Sequence, residues 1–103
     1  MTKLGEISEI TAKPGKRPQV LEILAETVDD IKSTEPGTEL AVFQSDLEDD
    51  VTVWIYVVFA DQAARDIHRS KAAQRDSFRE RLRPLVEGPT KQRVMNVEFG
   101  KLP

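Results

Sequence analysis

One histidine, one tryptophan and one tyrosine occur in this chain, and all three fall between positions 54 and 68: Trp54, Tyr56 and His68. An imidazole ordinarily titrates near pH ~6.5, so His68 is the candidate general acid or base at neutral pH. The competing reading is a capping or packing histidine at a helix end. Trp54 and Tyr56 share one face of an apolar strand. As cavity residues they would supply an aromatic wall and a phenolic donor to a substrate oxygen; as core or interface residues they would simply pack. Alternation does not decide between the two. Phe78 is a further ring for shape, and Ser8, like Asn96, is a polar residue on a strand expected to be partly buried, where it needs a hydrogen-bond partner. Arg65 and Arg69 flank His68, and Arg65 is the candidate to hold an anionic substrate group, although both cations also suit a solvated helix face. These six, His68, Trp54, Tyr56, Phe78, Ser8 and Arg65, form the candidate site.

The chain has no cysteine, so it holds neither a disulfide nor a thiolate-bound metal, and one histidine excludes a histidine-rich metal site within a chain. The acidic run Asp46, Glu48, Asp49, Asp50 lacks the glycine and ligand periodicity of a calcium loop and reads as a solvated hairpin tip. No metal is expected.

The elements that position these residues follow from pattern. Val51 to Phe59 contains only one weak polar group, Thr52, so both faces of that strand are apolar: Val51, Val53, Ile55, Val57 and Phe59 on one, Trp54, Tyr56 and Val58 on the other. Such a strand must be covered on both sides, and one small domain rarely does that alone, which points to a partner subunit. Glu39 to Gln44 pairs with it through the short acidic loop as a hairpin. Leu4 to Lys13 is a first strand, with Leu4, Ile10 and Ala12 on one face and Ile7 on the other. Lys13-Pro14-Gly15-Lys16 is a turn, Pro18 suits the first turn of a helix, and Val20, Leu24, Thr27, Val28 and Ile31, beside Leu21 and Ile23, trace a stripe at the helical period until Pro36 and Gly37. Asp61 is the expected N-cap of a short helix ending at His68, and Ser70 the cap of a second helix carrying Phe78, Leu82, Leu85 and Val86, which Pro84 ends. A last strand is expected over Lys91 to Phe99. Strand, helix, strand, strand, helix pair, strand describes an α+β fold of ferredoxin-like type, a four-stranded antiparallel sheet with helices on one face.

Composition bounds the partners. With 39% hydrophobic and 32% charged residues, residues 1–103 read as a single ordered globular domain, and no apolar run reaches the ~20 residues that span a bilayer. A cytoplasmic protein without a membrane partner is expected. The net charge of −3 is uneven: residues 1–60 carry 5 basic and 12 acidic side chains, residues 61–93 carry 9 and 5. In the second block Arg65, Arg69, Lys71, Arg75, Arg79, Arg81 and Arg83 are mixed with acids at helix spacing, and only Phe78 is aromatic, so nucleic-acid binding is not expected.

The ordered set of the Lys13-Pro14-Gly15-Lys16 turn, Glu35-Pro36-Gly37 before the second strand, the long third strand, the step Phe59-Ala60-Asp61 into a helix, Ala64, and His68 followed by Ser70 and Phe78 resembles the antibiotic biosynthesis monooxygenase (ABM) domain family of dimeric α+β barrels nearly end to end. The resemblance implies a homodimer whose sheets pack face to face, with a ligand cavity in each subunit between sheet and helices. It implies as activity a cofactor-independent monooxygenation of a phenol or quinol, in which His68 is the base and no cofactor is bound. Haem-degrading enzymes and small-metabolite isomerases or lyases share the family. Two positions depart from it: Val57 stands where a glutamate is frequent, and there is no second histidine near Ala73. The haem-degrading branch pairs an asparagine on the first strand with a histidine haem ligand on the last long helix, where this chain has Ser8 and, near the second position, Phe78. A non-catalytic dimeric barrel that binds a small ligand is the alternative reading.

Overall fold

In a computed structural model, residues 2–72 and 76–102 are described; Ala73 and Arg75 lie outside them. The elements are β1 (Leu4–Thr11), α1 (Arg17–Thr34), β2 (Thr38–Ser45), β3 (Thr52–Phe59), α2 (Gln62–Ala72), α3 (Asp76–Leu82), a 3-10 turn (Arg83–Leu85) and β4 (Lys91–Asn96). The strands form one antiparallel sheet in the order β2-β3-β1-β4. This is the α+β ferredoxin-like arrangement that the element order implies.

Register assigns each strand residue to a layer. Leu4, Glu6, Ser8 and Ile10 stand opposite Phe59, Val57, Ile55 and Val53, and Ala41 and Phe43 stand opposite Val57 and Ile55. These residues face the helices: Ile10, Ala12, Val20, Leu24 and Val53 make one buried cluster, and Val57, Phe59 and Ala64 a second. Phe59, Val20 and Val53 are wholly buried, each worth about 1.5–3 kcal/mol of transfer free energy. Trp54, Tyr56, Ile7 and Val42 share the other face by the same alternation.

Local chemistry explains the joints. Gly15 closes the turn after β1 at φ +77°, a region where a Cβ is strained. Pro18 lies in the first turn of α1, where no amide donor is needed. Val20, Ile23, Leu24 and Ile31 are the buried residues of that helix, as its apolar stripe implies. Asp61 caps α2, its carboxylate accepting from the Ala64 amide at 2.8 Å.

Three boundaries differ from expectation. Helix α2 does not end at His68, and Ser70 caps nothing: its hydroxyl donates to the Ile67 carbonyl at 2.7 Å, so the helix continues with that group satisfied inside it. Strand β4 stops at Asn96 rather than Phe99; the Val97 amide makes one further bond to Lys3, and Phe99 is exposed. Asn96 is exposed rather than partly buried, because β4 is the edge of the sheet. The acidic hairpin tip is more organised than a solvated loop. Asp49 accepts from the Val51 and Thr52 amides and the Thr52 hydroxyl, Asp46 from the Glu48 amide and the Trp54 indole, and Arg17 donates to the Asp46 and Asp49 carbonyls. Those hydrogen bonds favour the ionised forms and hold both carboxyls below the usual carboxylate range, Asp46 chiefly through Trp54 and Asp49 chiefly through the Thr52 amide. Among the described residues no cluster of metal-ligating side chains occurs, and no helix is long and apolar enough to cross a membrane.

Candidate active site

Between the sheet and the helices lies a cavity of about 610 Å³. Its floor comes from the helix-facing layer, Ser8, Ile10 and Ile55; its walls are Leu24 and Thr27 of α1, His68 of α2, and Phe78 and Leu82 of α3. Val86 and the segment from Gly88 to Thr90, with Gln92, close the side next to β4, and Arg79 and Arg83 complete the lining. The volume suits a small polycyclic molecule; the lining is mixed rather than apolar, and the cavity opens to solvent where Arg79, Arg83, Thr90 and Gln92 are exposed.

His68 is built into this wall by three neighbours. Its Nδ1 stands 2.6 Å from Oε1 of Glu35, a carboxyl only 2% exposed in its side chain. The same oxygen accepts from the Thr38 hydroxyl at 3.1 Å. The ring packs on wholly buried Phe59 at 5.3 Å between centroids. An ionised carboxylate accepts hydrogen bonds and donates none, so an ionised Glu35 pairs with the Nδ1–H tautomer and leaves Nε2 as the nitrogen able to take a proton. Glu35 reaches this place because the chain after α1 turns sharply at Pro36 and Gly37, and there the absence of a side chain matters: a Cβ on Gly37 would lie 2.6 Å from that of Ala64. The Gly37 carbonyl also receives the Ala60 amide, tying the start of β2 to the entry of α2.

A second polar group crosses the sheet. Arg65 donates through Nε to Glu6 at 2.9 Å, and Gln92 Nε2 lies 3.3 Å from both Glu6 Oε1 and Ser8 Oγ. Glu6 is buried and directly opposite Val57 in the register. The helix-facing layer therefore carries a carboxylate one strand away from Val57, with Arg65 as its counter-charge.

Of the six candidate residues, His68, Ser8 and Phe78 line the cavity. The other three do not. Trp54 and Tyr56 project from the helix-free face of β3, away from the cavity, because the phase that puts Val53, Ile55, Val57 and Phe59 under the helices puts them outward. Trp54 instead lines a small groove with Ile7, Lys91 and Arg93, and its indole is held by Asp46 at 2.8 Å. Arg65 is turned to Glu6 rather than into the cavity, since a buried carboxylate needs a counter-charge.

Glu35, Glu6, Gln92, Arg79 and Arg83 are the residues that sequence reasoning missed. Glu6 and Ser8 had a signal, because both fall on the strand phase shared by Leu4, Ile10 and Ala12, where polar groups are unusual. Glu35 had none beyond its place in a Glu-Pro-Gly turn.

Similarity to known proteins identifies the family and the fold. The antibiotic biosynthesis monooxygenase family model matches residues 4–80. No curated protein matches the chain significantly. Among solved structures, a protein of unknown function from Nitrosomonas europaea is 26% identical over 100% of this chain and 96% of its own, with a TM-score of 0.82. A Pseudomonas aeruginosa protein is 22% identical, covering 96% and 97%, at a TM-score of 0.80. A monooxygenase from Streptomyces coelicolor, solved in complex with nanaomycin D, is 19% identical, covering 99% and 93%, at a TM-score of 0.78. The last two likenesses speak to the fold. With the family model spanning most of the chain on a matching sheet and helix order, the protein belongs to the antibiotic biosynthesis monooxygenase family.

Proposed function

We propose that the protein is a monooxygenase that oxidises a small aromatic phenol or quinol with dioxygen, with His68 as its base. The observation that carries this reading is the pairing of a cavity-lining imidazole with the buried carboxyl of Glu35 at 2.6 Å. In the reaction, the phenolic proton passes to His68, and the electron-rich phenolate gives one electron to dioxygen. The resulting radical pair joins through a new C–O bond to give a peroxide anion, His68 returns its proton to the outer peroxide oxygen, and the hydroperoxide loses water by cleavage of its O–O bond and loss of the hydrogen on the same carbon. Phenol and dioxygen become quinone and water, so every electron that reduces dioxygen comes from the substrate. Ile10, Leu24, Ile55, Phe78 and Leu82 supply the apolar surroundings that keep bulk water from the anion.

The test is oxygen uptake against a panel of phenols, naphthols and quinols, beside a protein-free blank. Uptake above autoxidation that falls about a hundredfold or more in His68→Ala supports the proposal. A second reading, a barrel that binds an aromatic ligand without turning it over, draws on Val57, which is apolar and buried where the resemblance places a glutamate. Ligand binding without oxygen uptake decides for it, and anaerobic turnover points instead to an isomerase or lyase.

A further inference from the structure

Two arginines line the cavity, Arg79 and Arg83, and no aspartate or glutamate lines it among the described residues. They stand four positions apart across the junction of α3 with the 3-10 turn, close to one helical turn, so two like charges are placed on one face. Two other arginines of the same part of the chain are paired with carboxylates. Arg65 is paired with Glu6, and Arg81 makes two bonds to Glu26, 3.0 and 2.7 Å, while its guanidinium lies over Phe78. Arg79 and Arg83 have no ion-pair or hydrogen-bond partner among the described residues.

We propose that these two arginines bind the anionic group of the substrate: the cavity takes an aromatic molecule that carries a carboxylate, or an anion of like geometry, in addition to its oxidisable hydroxyl. The lining divides the cavity accordingly. Ile10, Leu24, Ile55 and Phe78 offer an apolar slot for the rings, and His68 and Ser8 offer polar groups for the hydroxyl. The two arginines complete it at the solvent-exposed rim, since planar guanidinium forks match a carboxylate bidentately and an anion there offsets two like charges. The inference rests on the proposed reaction only for the hydroxyl; the anion site stands on the charge of the lining itself.

The experiment measures binding calorimetrically with 6-hydroxy-2-naphthoate, its neutral methyl ester and 2-naphthol, using intact protein and His68→Ala so that turnover does not enter. The acid is expected to bind at least tenfold more tightly than the ester at low salt, with the difference shrinking as salt rises. In an Arg79→Gln/Arg83→Gln variant that melts at the wild-type temperature, the preference should vanish while ester binding is kept. Arg69→Gln, which removes a nearby charge that does not line the cavity, should leave the preference intact. Equal binding of acid and ester, a preference that survives the double variant, or no binding of the acid at millimolar concentration overturns the proposal. Anion preference without oxygen uptake sinks the oxidation reading alone, and uptake without anion preference sinks this one alone.

Discussion

Glu35 and His68 lie 33 positions apart in the chain and 2.6 Å apart in the fold, and the proposed chemistry depends on that contact. Glu35 is a positioning residue: it holds the ring by Nδ1 and sets which nitrogen is open. Glu35→Gln keeps the shape but offers an amide whose nitrogen can donate to Nδ1, which selects the wrong tautomer. The expected outcome is a fall in kcat of tenfold or more with KM little changed, since the cavity wall is intact. Glu35→Ala should also cost about 1–3 kcal/mol of stability, because a half-buried imidazole nitrogen loses its partner, and denaturant unfolding measures it. A KM effect without a kcat effect would contradict the positioning role. His68 was legible in the sequence because it is the single histidine and follows a strand-to-helix step. Its partner was not, because the pairing exists only once the end of α1 is folded against α2. Trp54 and Tyr56 show the complementary failure: a strand apolar on both faces carries no sign of which face meets the helices.

Elements deliver these side chains, and two joints can be tested. At Gly37 the start of β2 passes so close to α2 that an added Cβ meets Ala64 at 2.6 Å. Gly37→Ala should therefore push α2 off the sheet and destabilise the protein by about 1–3 kcal/mol. Ala64→Gly in the same background should restore part of the loss, although the new glycine itself costs about 1 kcal/mol in a helix. No recovery would mean that the strain lies elsewhere. The β2–β3 hairpin makes a pH prediction. Asp46 and Asp49 are held below the usual carboxylate range by hydrogen bonds to their ionised forms, so their contribution is complete above the ordinary carboxyl pKa near 3.8 and is lost as pH falls below it. Exchange protection of the Val51 and Thr52 amides should collapse in that acidic window, and in Asp49→Asn it should already be weak at neutral pH. Protection that is unchanged through the window removes these carboxylates as the hairpin's clasp. At this scale the sequence was readable wherever a breaker or a cap marks a boundary, as at Pro18, Asp61 and Pro84. It misled at Ser70, a residue equally able to start a helix or to satisfy itself inside one.

For the whole molecule, the helix-free face of the sheet raises the remaining question. Ile7 stands opposite Tyr56 in the register, Val42 flanks Tyr56 from the other side, and Met95 is 42% exposed. We expect two such faces to pack together, as sheets do at about 10 Å separation, so that sedimentation equilibrium at micromolar concentration gives twice the 11.6 kDa chain mass. A monomer at that concentration would retire the face-to-face arrangement. Ile7→Asp places an unpaired charge in the middle of that face and should shift the protein to monomer with its circular dichroism unchanged. The described lining of the cavity comes from one chain and from the opposite side of the sheet. The monomeric variant should therefore still bind 6-hydroxy-2-naphthoate, with an affinity within a fewfold of the dimer's. If binding is lost along with dimerisation while the fold is kept, the partner subunit completes the cavity, and the site is a property of the pair rather than of the chain.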